Sequence, residues 1–191
     1  MMKKWSVFGV LICMLLGCLP SAAAAGNMVV ADLTQMTVCQ EAGLPASGEY
    51  VKSGNYTMKW AGSDLFRNIS IKTQRQDLSA GNYLEVWVYS KTKSDGRFTI
   101  AMISDDSSTV CTDYYYATVT ANWTGWKLIS LKYTGEDSDF QVASKPVGLE
   151  NISEIRLWPN YGGASMKEDA ALYFDKITCS AEKGESGSAG E

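Results

Sequence analysis

Tyr83-Leu84-Glu85-Val86-Trp87-Val88-Tyr89-Ser90 alternates without interruption. On a strand, successive side chains point to opposite sides, so Leu84, Val86 and Val88 make one aliphatic face while Tyr83, Glu85, Trp87 and Tyr89 make the other. The aliphatic face reads as core. The opposite face, with three rings and a carboxylate, admits two readings. It is either a surface suited to lie against something flat and hydroxylated, or a second buried layer under a loop, with Glu85 hydrogen-bonded at its rim.

The same period recurs on both sides of this stretch. Before it, Gly54-Asn55 marks a turn into a strand on which Tyr56, Met58 and Trp60 share a face, and Leu65 to Lys72 alternates again. Met28 to Leu33 and Met36 to Cys39 read as a broken opening strand, and Gln40 to Gly48 as a loop. After it, Arg97 to Ile103 carries Phe98, Ile100 and Met102 on one side. Tyr114 to Val119, Trp126 to Leu131, Ile152 to Trp158 and Ala171 to Cys179 continue the pattern, and Gly135 to Pro146 is a longer acidic connection. Trp60 and Trp126 read as core, in step with Met58 and with Leu128. Short strands at short spacing, with no helical period, predict an all-β, two-sheet antiparallel sandwich.

The chain has 191 residues, enough for one domain and a leader. Residues 1–25 read as an export signal: Lys3 and Lys4, an apolar run from Trp5 to Leu19, then Pro20 and small residues to Ala25. Leu15-Leu16-Gly17-Cys18 also reads as a lipoprotein box, which would anchor the protein to a membrane through Cys18. The alanine run after Pro20 favours simple cleavage near Ala25 and a secreted, extracellular protein. The sandwich is expected over residues 26–180. Residues 181–191, with no apolar residue larger than alanine, have a linker composition. They are either a flexible linker to a following catalytic domain or a frayed tail.

Loss of Lys3 and Lys4 with the leader leaves 15 basic against 21 acidic residues, which argues against nucleic acid as a partner. Histidine is absent, which removes Ser-His and Cys-His nucleophile pairs and most zinc sites. Asp105-Asp106 and Glu136-Asp137 are adjacent carboxylates on loops, not a pair set across a cleft. No catalytic residue is therefore assigned. Of Cys39, Cys111 and Cys179, the first and last stand near the two ends of the domain, so a bond between them is one expectation and three buried thiols the other.

Three runs together carry a resemblance. Tyr50-Val51-Lys52-Ser53-Gly54-Asn55-Tyr56-Thr57-Met58-Lys59-Trp60, Gly125-Trp126-Lys127 with its aliphatic strand, and Leu172-Tyr173-Phe174-Asp175-Lys176-Ile177 resemble corresponding strands of galactose-binding-like jelly rolls, in matching order across Val29 to Cys179. Such domains occur as carbohydrate-binding modules of secreted glycan-degrading enzymes and as N-terminal domains of chondroitin-sulfate-type polysaccharide lyases. The resemblance implies a polysaccharide or oligosaccharide partner. It places candidate ligand-binding residues on a concave sheet face (Glu85, Trp87, Tyr89, Arg156, Trp158) or at edge loops (Trp123, Tyr161), where rings stack on a pyranose and charged groups take its hydroxyls. It also implies a structural calcium, with Asp175 matching the closing-strand ligand and Glu41 the nearest second carboxylate. Here the opening strand reads Thr37-Val38-Cys39-Gln40-Glu41 in place of the phenylalanine-glutamate pair. The other reading of Asp175 is a carboxylate capping backbone amides at a strand bend. A protein-binding sandwich of the cell surface or envelope, and a lyase or hydrolase activity, remain alternative functions.

Overall fold

A computed structural model describes residues 27–105, 112–159 and 164–185. The leader with Cys18, Cys111, Tyr161 and the tail beyond Glu185 lie outside the described residues. Eleven strands are present among those described: β1 (Met28–Ala31), β2 (Ala46–Ser47), β3 (Thr57–Ala61), β4 (Ile69–Gln76), β5 (Tyr83–Ser90), β6 (Arg97–Ile103), β7 (Tyr114–Thr120), β8 (Gly125–Lys132), β9 (Gln141–Ala143), β10 (Ile152–Pro159) and β11 (Ala171–Ser180). They form two antiparallel sheets. The first runs β2-β3-β11-β5-β8, with β1 also on β11, and the second runs β4-β10-β6-β7-β9.

The alternating stretches supply the layer between the sheets. Leu84, Val86 and Val88 of β5 are buried, as are Met58 and Trp60 of β3 and Leu172, Phe174 and Ile177 of β11. The second sheet faces them with Ile69 and Ile71, Phe98, Ile100 and Met102, and Ile155 and Leu157. Rings lock the two layers together: Phe98 of the second sheet meets Trp60 edge-on at 5.9 Å and Phe174 at 6.0 Å. Edge-to-face geometry of this kind adds about 0.5–1.5 kcal/mol per pair beyond the area buried.

Strand β11 holds the first sheet in register and is itself bent. Phe174 pairs with Val88 and Ile177 with Val86, so β11 carries one residue more than β5 between these points. This is a β-bulge. Before it β11 pairs with β3, and after it with β1. The extra residue leaves an amide without a ladder partner, and Asp175 resolves this locally, its Oδ1 accepting from the Lys176 N–H at 2.6 Å.

Four expectations need correction. Met36–Glu41 is a short α-helix, α1, not strand, and it buries Cys39. Gln141–Ala143 within the acidic connection forms β9 on the edge of the second sheet. Trp126 is half-buried on the side of β8 facing away from the core, because Ile129 and Leu131 take the inward positions. Cys39 and Cys179 are both free and buried: the Cys39 thiol donates to the Leu33 carbonyl at 3.2 Å, and Cys179 Sγ lies 2.9 Å from the Tyr133 hydroxyl.

Candidate functional site

The predicted ligand-binding residues do not share one face. Glu85, Trp87 and Tyr89 belong to β5 of the first sheet, whereas Arg156 and Trp158 belong to β10 of the second. The inward side of each strand is filled by the common core, so the two groups point to opposite sides of the sandwich. The structure therefore presents two aromatic faces.

On the first sheet, Tyr89 stands opposite Trp126 of β8 and Tyr173 of β11, and Trp87 opposite Leu128. A strap formed by Glu49–Ser53, ahead of β3, crosses this row. Tyr50 stacks on Tyr89 with centroids 4.0 Å apart, Lys52 Nζ stands 3.7 Å over the Trp87 ring, and Ser53 gives its amide and hydroxyl to Asp175 at 2.8 and 2.7 Å. Glu49 accepts from the Tyr173 hydroxyl at 2.8 Å and pairs with Lys59 at 3.1 Å. The hydrogen bond from Tyr173, then that from Lys59, holds the Glu49 carboxyl below its ordinary value. Burial, followed by the neighbouring Tyr50, raises the Tyr89 phenol. Tyr50 itself adopts φ 49°, the left-handed region that a tyrosine rarely enters. The second of the two sequence readings thus holds for much of this row: it lies under a loop. Glu85 is 3% exposed, and its Oε1 accepts from the Ser130 hydroxyl at 2.7 Å and the Gly184 amide at 2.5 Å.

On the second sheet the outward positions form a platform. Trp158 meets Tyr114 at 4.9 Å and 83°, and Tyr114 meets Tyr116 at 5.7 Å. All three are half-buried. Ala101, flanked by Arg156 on one neighbouring strand and Tyr116 on the other, is fully covered. Its small side chain leaves room for larger neighbours to lie along the sheet. Beside the rings, Glu154 is buried and binds both Lys72 and Arg156, and the Tyr116 hydroxyl donates to Gln141 at 2.5 Å. Burial alone would raise the Glu154 carboxyl, but hydrogen bonds from Arg156, Lys72 and Ser70 outweigh it and hold the group below its ordinary value. The Trp158 indole N–H is shielded and has no acceptor among the described residues.

The remaining candidates are dispersed. Trp123 packs against the core, its Nε1 3.4 Å from the Val88 carbonyl and Lys127 over its ring, so it is not an open edge-loop ring. Glu41 is exposed at the end of α1. Asp175 is 3% exposed and occupied by three donors of this chain, two from Ser53 and one from Lys176. No group of three or more potential metal-ligating side chains forms among the described residues. Asp175 acts as the cap of the β11 bulge and the strap, and Glu41 stands apart from its bond set.

Tyr114, Tyr116, Tyr50, Lys52, Trp126 and Tyr173 were not among the sequence candidates. Alternation in Tyr114-Tyr115-Tyr116 was available as a signal, since Tyr115 packs on the core and its neighbours must then point outward.

Among solved structures, the chain is similar to PfGH50B, with a TM-score of 0.50 and 14% identity over 80% of this chain and 24% of that one. It is also similar to a family 30 carbohydrate-binding module, with a TM-score of 0.49 and 14% identity over 73% of this chain and 83% of that one. A family 11 carbohydrate-binding module from Clostridium thermocellum, in complex with a β-1,3-1,4-mixed-linked tetrasaccharide, gives 0.48 and 17% over 75% and 86%. The fold is an all-β sandwich of two antiparallel sheets in jelly-roll form. At these identities the likeness extends to the fold alone. The chain spans about a quarter of the length of PfGH50B. No family model and no curated protein matches the sequence. No helix among the described residues is long and apolar enough to cross a membrane.

Proposed function

We propose that this protein is a non-catalytic glycan-binding module of a secreted polysaccharide-degrading system, and that it holds the polysaccharide against the outer face of its second sheet. The observation that carries this reading is the row Trp158, Tyr114 and Tyr116 flanked by the Lys72–Glu154–Arg156 ion network. Aromatic rings offer apolar area at low entropic cost to the C–H face of a pyranose, while Arg156, Gln141 and the network supply hydroxyl partners at the rim. An extended platform suits a chain segment that lies along it and continues past both ends.

This face is assigned no proton-transfer role. Glu154, the buried carboxylate of this face, is held ionised between two cations, which makes it a poor proton donor. The fold shared with carbohydrate-binding modules agrees with the reading, but the rings carry it.

The test is retention in native gels cast with soluble mixed-linked β-glucan, xylan, arabinan or galactan. At least one polymer is expected to retard the protein. Loss of a stacking ring costs on the order of 1–2 kcal/mol, so Trp158→Ala and Tyr114→Ala should each weaken retention roughly 5- to 30-fold with unfolding temperature nearly unchanged. Mobility unaffected by every polymer, or retention indifferent to both variants, would refute the proposal.

A further inference from the structure

A cleft of about 540 Å³ opens on the first sheet, on the opposite side of the sandwich from the platform. Its floor is Trp87, Leu128 and Glu85; Lys52 and Ser53 of the strap line one part of it and Gly184 and Glu185 another. This volume lies within the roughly 300–1,000 Å³ range of small-ligand sites. The walls are held by specific bonds. Ser53 is fastened to Asp175, and the Gly184 amide is fastened to Glu85 Oε1. A side chain at 184 would collide with that carboxylate, since an added Cβ would fall 2.7 Å from Oε1 and 2.9 Å from Oε2.

Glu85 is the informative group. It is 3% exposed, and its two donors both land on Oε1. Among the described residues Oε2 receives no hydrogen bond and no cation lies within salt-bridge distance of it, although the residue lines the cleft. Oε2 is not among the sealed, unpartnered side-chain atoms, so it opens to the cleft, where it can accept from water or from a ligand hydroxyl that displaces the water. Next to it stand an indole edge and a leucine for apolar contact, and the ammonium of Lys52 as a donor. Acceptor, donor and apolar floor in one walled cleft match a hydroxyl-rich ring.

We infer that this cleft is a second glycan site, one that takes a chain end, with Glu85 Oε2 accepting from a sugar hydroxyl and Trp87 and Leu128 packing on the ring. The inference rests on the glycan reading above but uses the other face. Strap and C-terminal segment flank the cleft, whereas the platform suits a continuing chain. A molecule with both sites would hold the interior of one polysaccharide and the terminus of another.

The experiment uses the full chain carrying Trp158→Ala and Tyr114→Ala, titrated with short cello-, xylo-, laminari- and arabino-oligosaccharides while indole N–H resonances are followed by NMR. At least one sugar is expected to shift the Trp87 indole saturably. Glu85→Gln should weaken that binding at least tenfold. Thr178→Trp, which plugs the cleft from β11 and leaves Trp87 in place, should abolish it even if Trp87→Ala unfolds. If polymer retention depends on Trp158 but no sugar moves the Trp87 indole, the cleft is refuted and the platform stands. If the Trp87 indole responds while polymer retention ignores the platform variants, the platform falls and the cleft remains. A Trp87 shift that survives both Glu85→Gln and Thr178→Trp also overturns the cleft assignment.

Discussion

Asp175→Ala isolates the bond set that ties the strap to the sheet. The wild-type carboxylate accepts the Ser53 amide at 2.8 Å, the Ser53 hydroxyl at 2.7 Å and the Lys176 amide at 2.6 Å. Hydrogen bonds to a charged acceptor contribute about 1.5–3 kcal/mol each. Ser53 and Lys176 are only half-buried, however, so water recovers part of the loss. The net cost should be about 2–4 kcal/mol. For a domain of this size each kcal/mol moves the midpoint by roughly 2–4 °C, so Tm should fall by about 5–15 °C. Freed of its latch, Tyr50 should also leave Tyr89, which near-ultraviolet circular dichroism reports. Scanning calorimetry and urea unfolding, run with chelator and with added calcium, check the magnitude. Since the donors are this chain's own, chelator should leave the wild type unchanged. A variant within about 0.5 kcal/mol of wild type, the ordinary spread of a neutral surface change, would refute the latch. A wild type that loses the same stability in chelator would show that a cation, not Ser53, engages Asp175.

Three further outcomes follow from the same structure. Glu154, held below its ordinary value by Arg156, Lys72 and Ser70 against the effect of burial, contributes stability that is complete above the unfolded value of 4.5 and is lost as pH falls through its lower folded value; Glu154→Gln should therefore reduce stability at neutral pH and flatten the acid limb of a stability–pH curve. Burial pushes the Cys39 thiol up to about 11 and raises that of Cys179 as well, so iodoacetamide at pH 8 should label neither in the native protein and both after denaturation, read by peptide mass mapping; recovery of a Cys39–Cys179 disulfide would contradict this. Gly54 adopts φ 68°, and an added Cβ would lie 2.8 Å from Thr34 Oγ1, so Gly54→Ala should cost about 1–2 kcal/mol or more in urea unfolding, where an unstrained glycine site would show a gain.

Alternation was enough to read the sandwich. Leu84, Val86 and Val88, then Phe98, Ile100 and Met102, reach the core as their period requires. What alternation lacks is an absolute sense: it groups residues onto a side and does not say which side is inside. Trp126 and Leu128 do share a face, but Ile129 and Leu131 occupy the core, so the face is the outer one. The helix at Met36–Glu41 is too short to show a 3.6-residue period, and burial of Cys39 stabilises it in a way no local pattern reveals.

The site was less legible because it depends on strand order. Trp87 and Trp158 have the same local surroundings, a ring between aliphatic residues on an alternating strand, yet β5 joins β11 and β8 while β10 joins β4 and β6. Pairing across long sequence separations is chosen by the whole core, and this choice sends the two rings to opposite faces. The strap adds a second non-local decision. Gly54 announces a turn, but the path of Tyr50 over Tyr89 follows from the bulge in β11, which presents Asp175 to Ser53 more than a hundred residues earlier in the chain. The bulge therefore does two things: it ends the pairing of β11 with β3, and it fixes the strap that covers one aromatic row. A variant that straightens β11 by deleting Lys176 would restore plain alternation, keeping Ile177 and Cys179 opposite Val86 and Leu84 in the core while removing the kink that presents Asp175 to Ser53, so the strap should loosen without loss of the core.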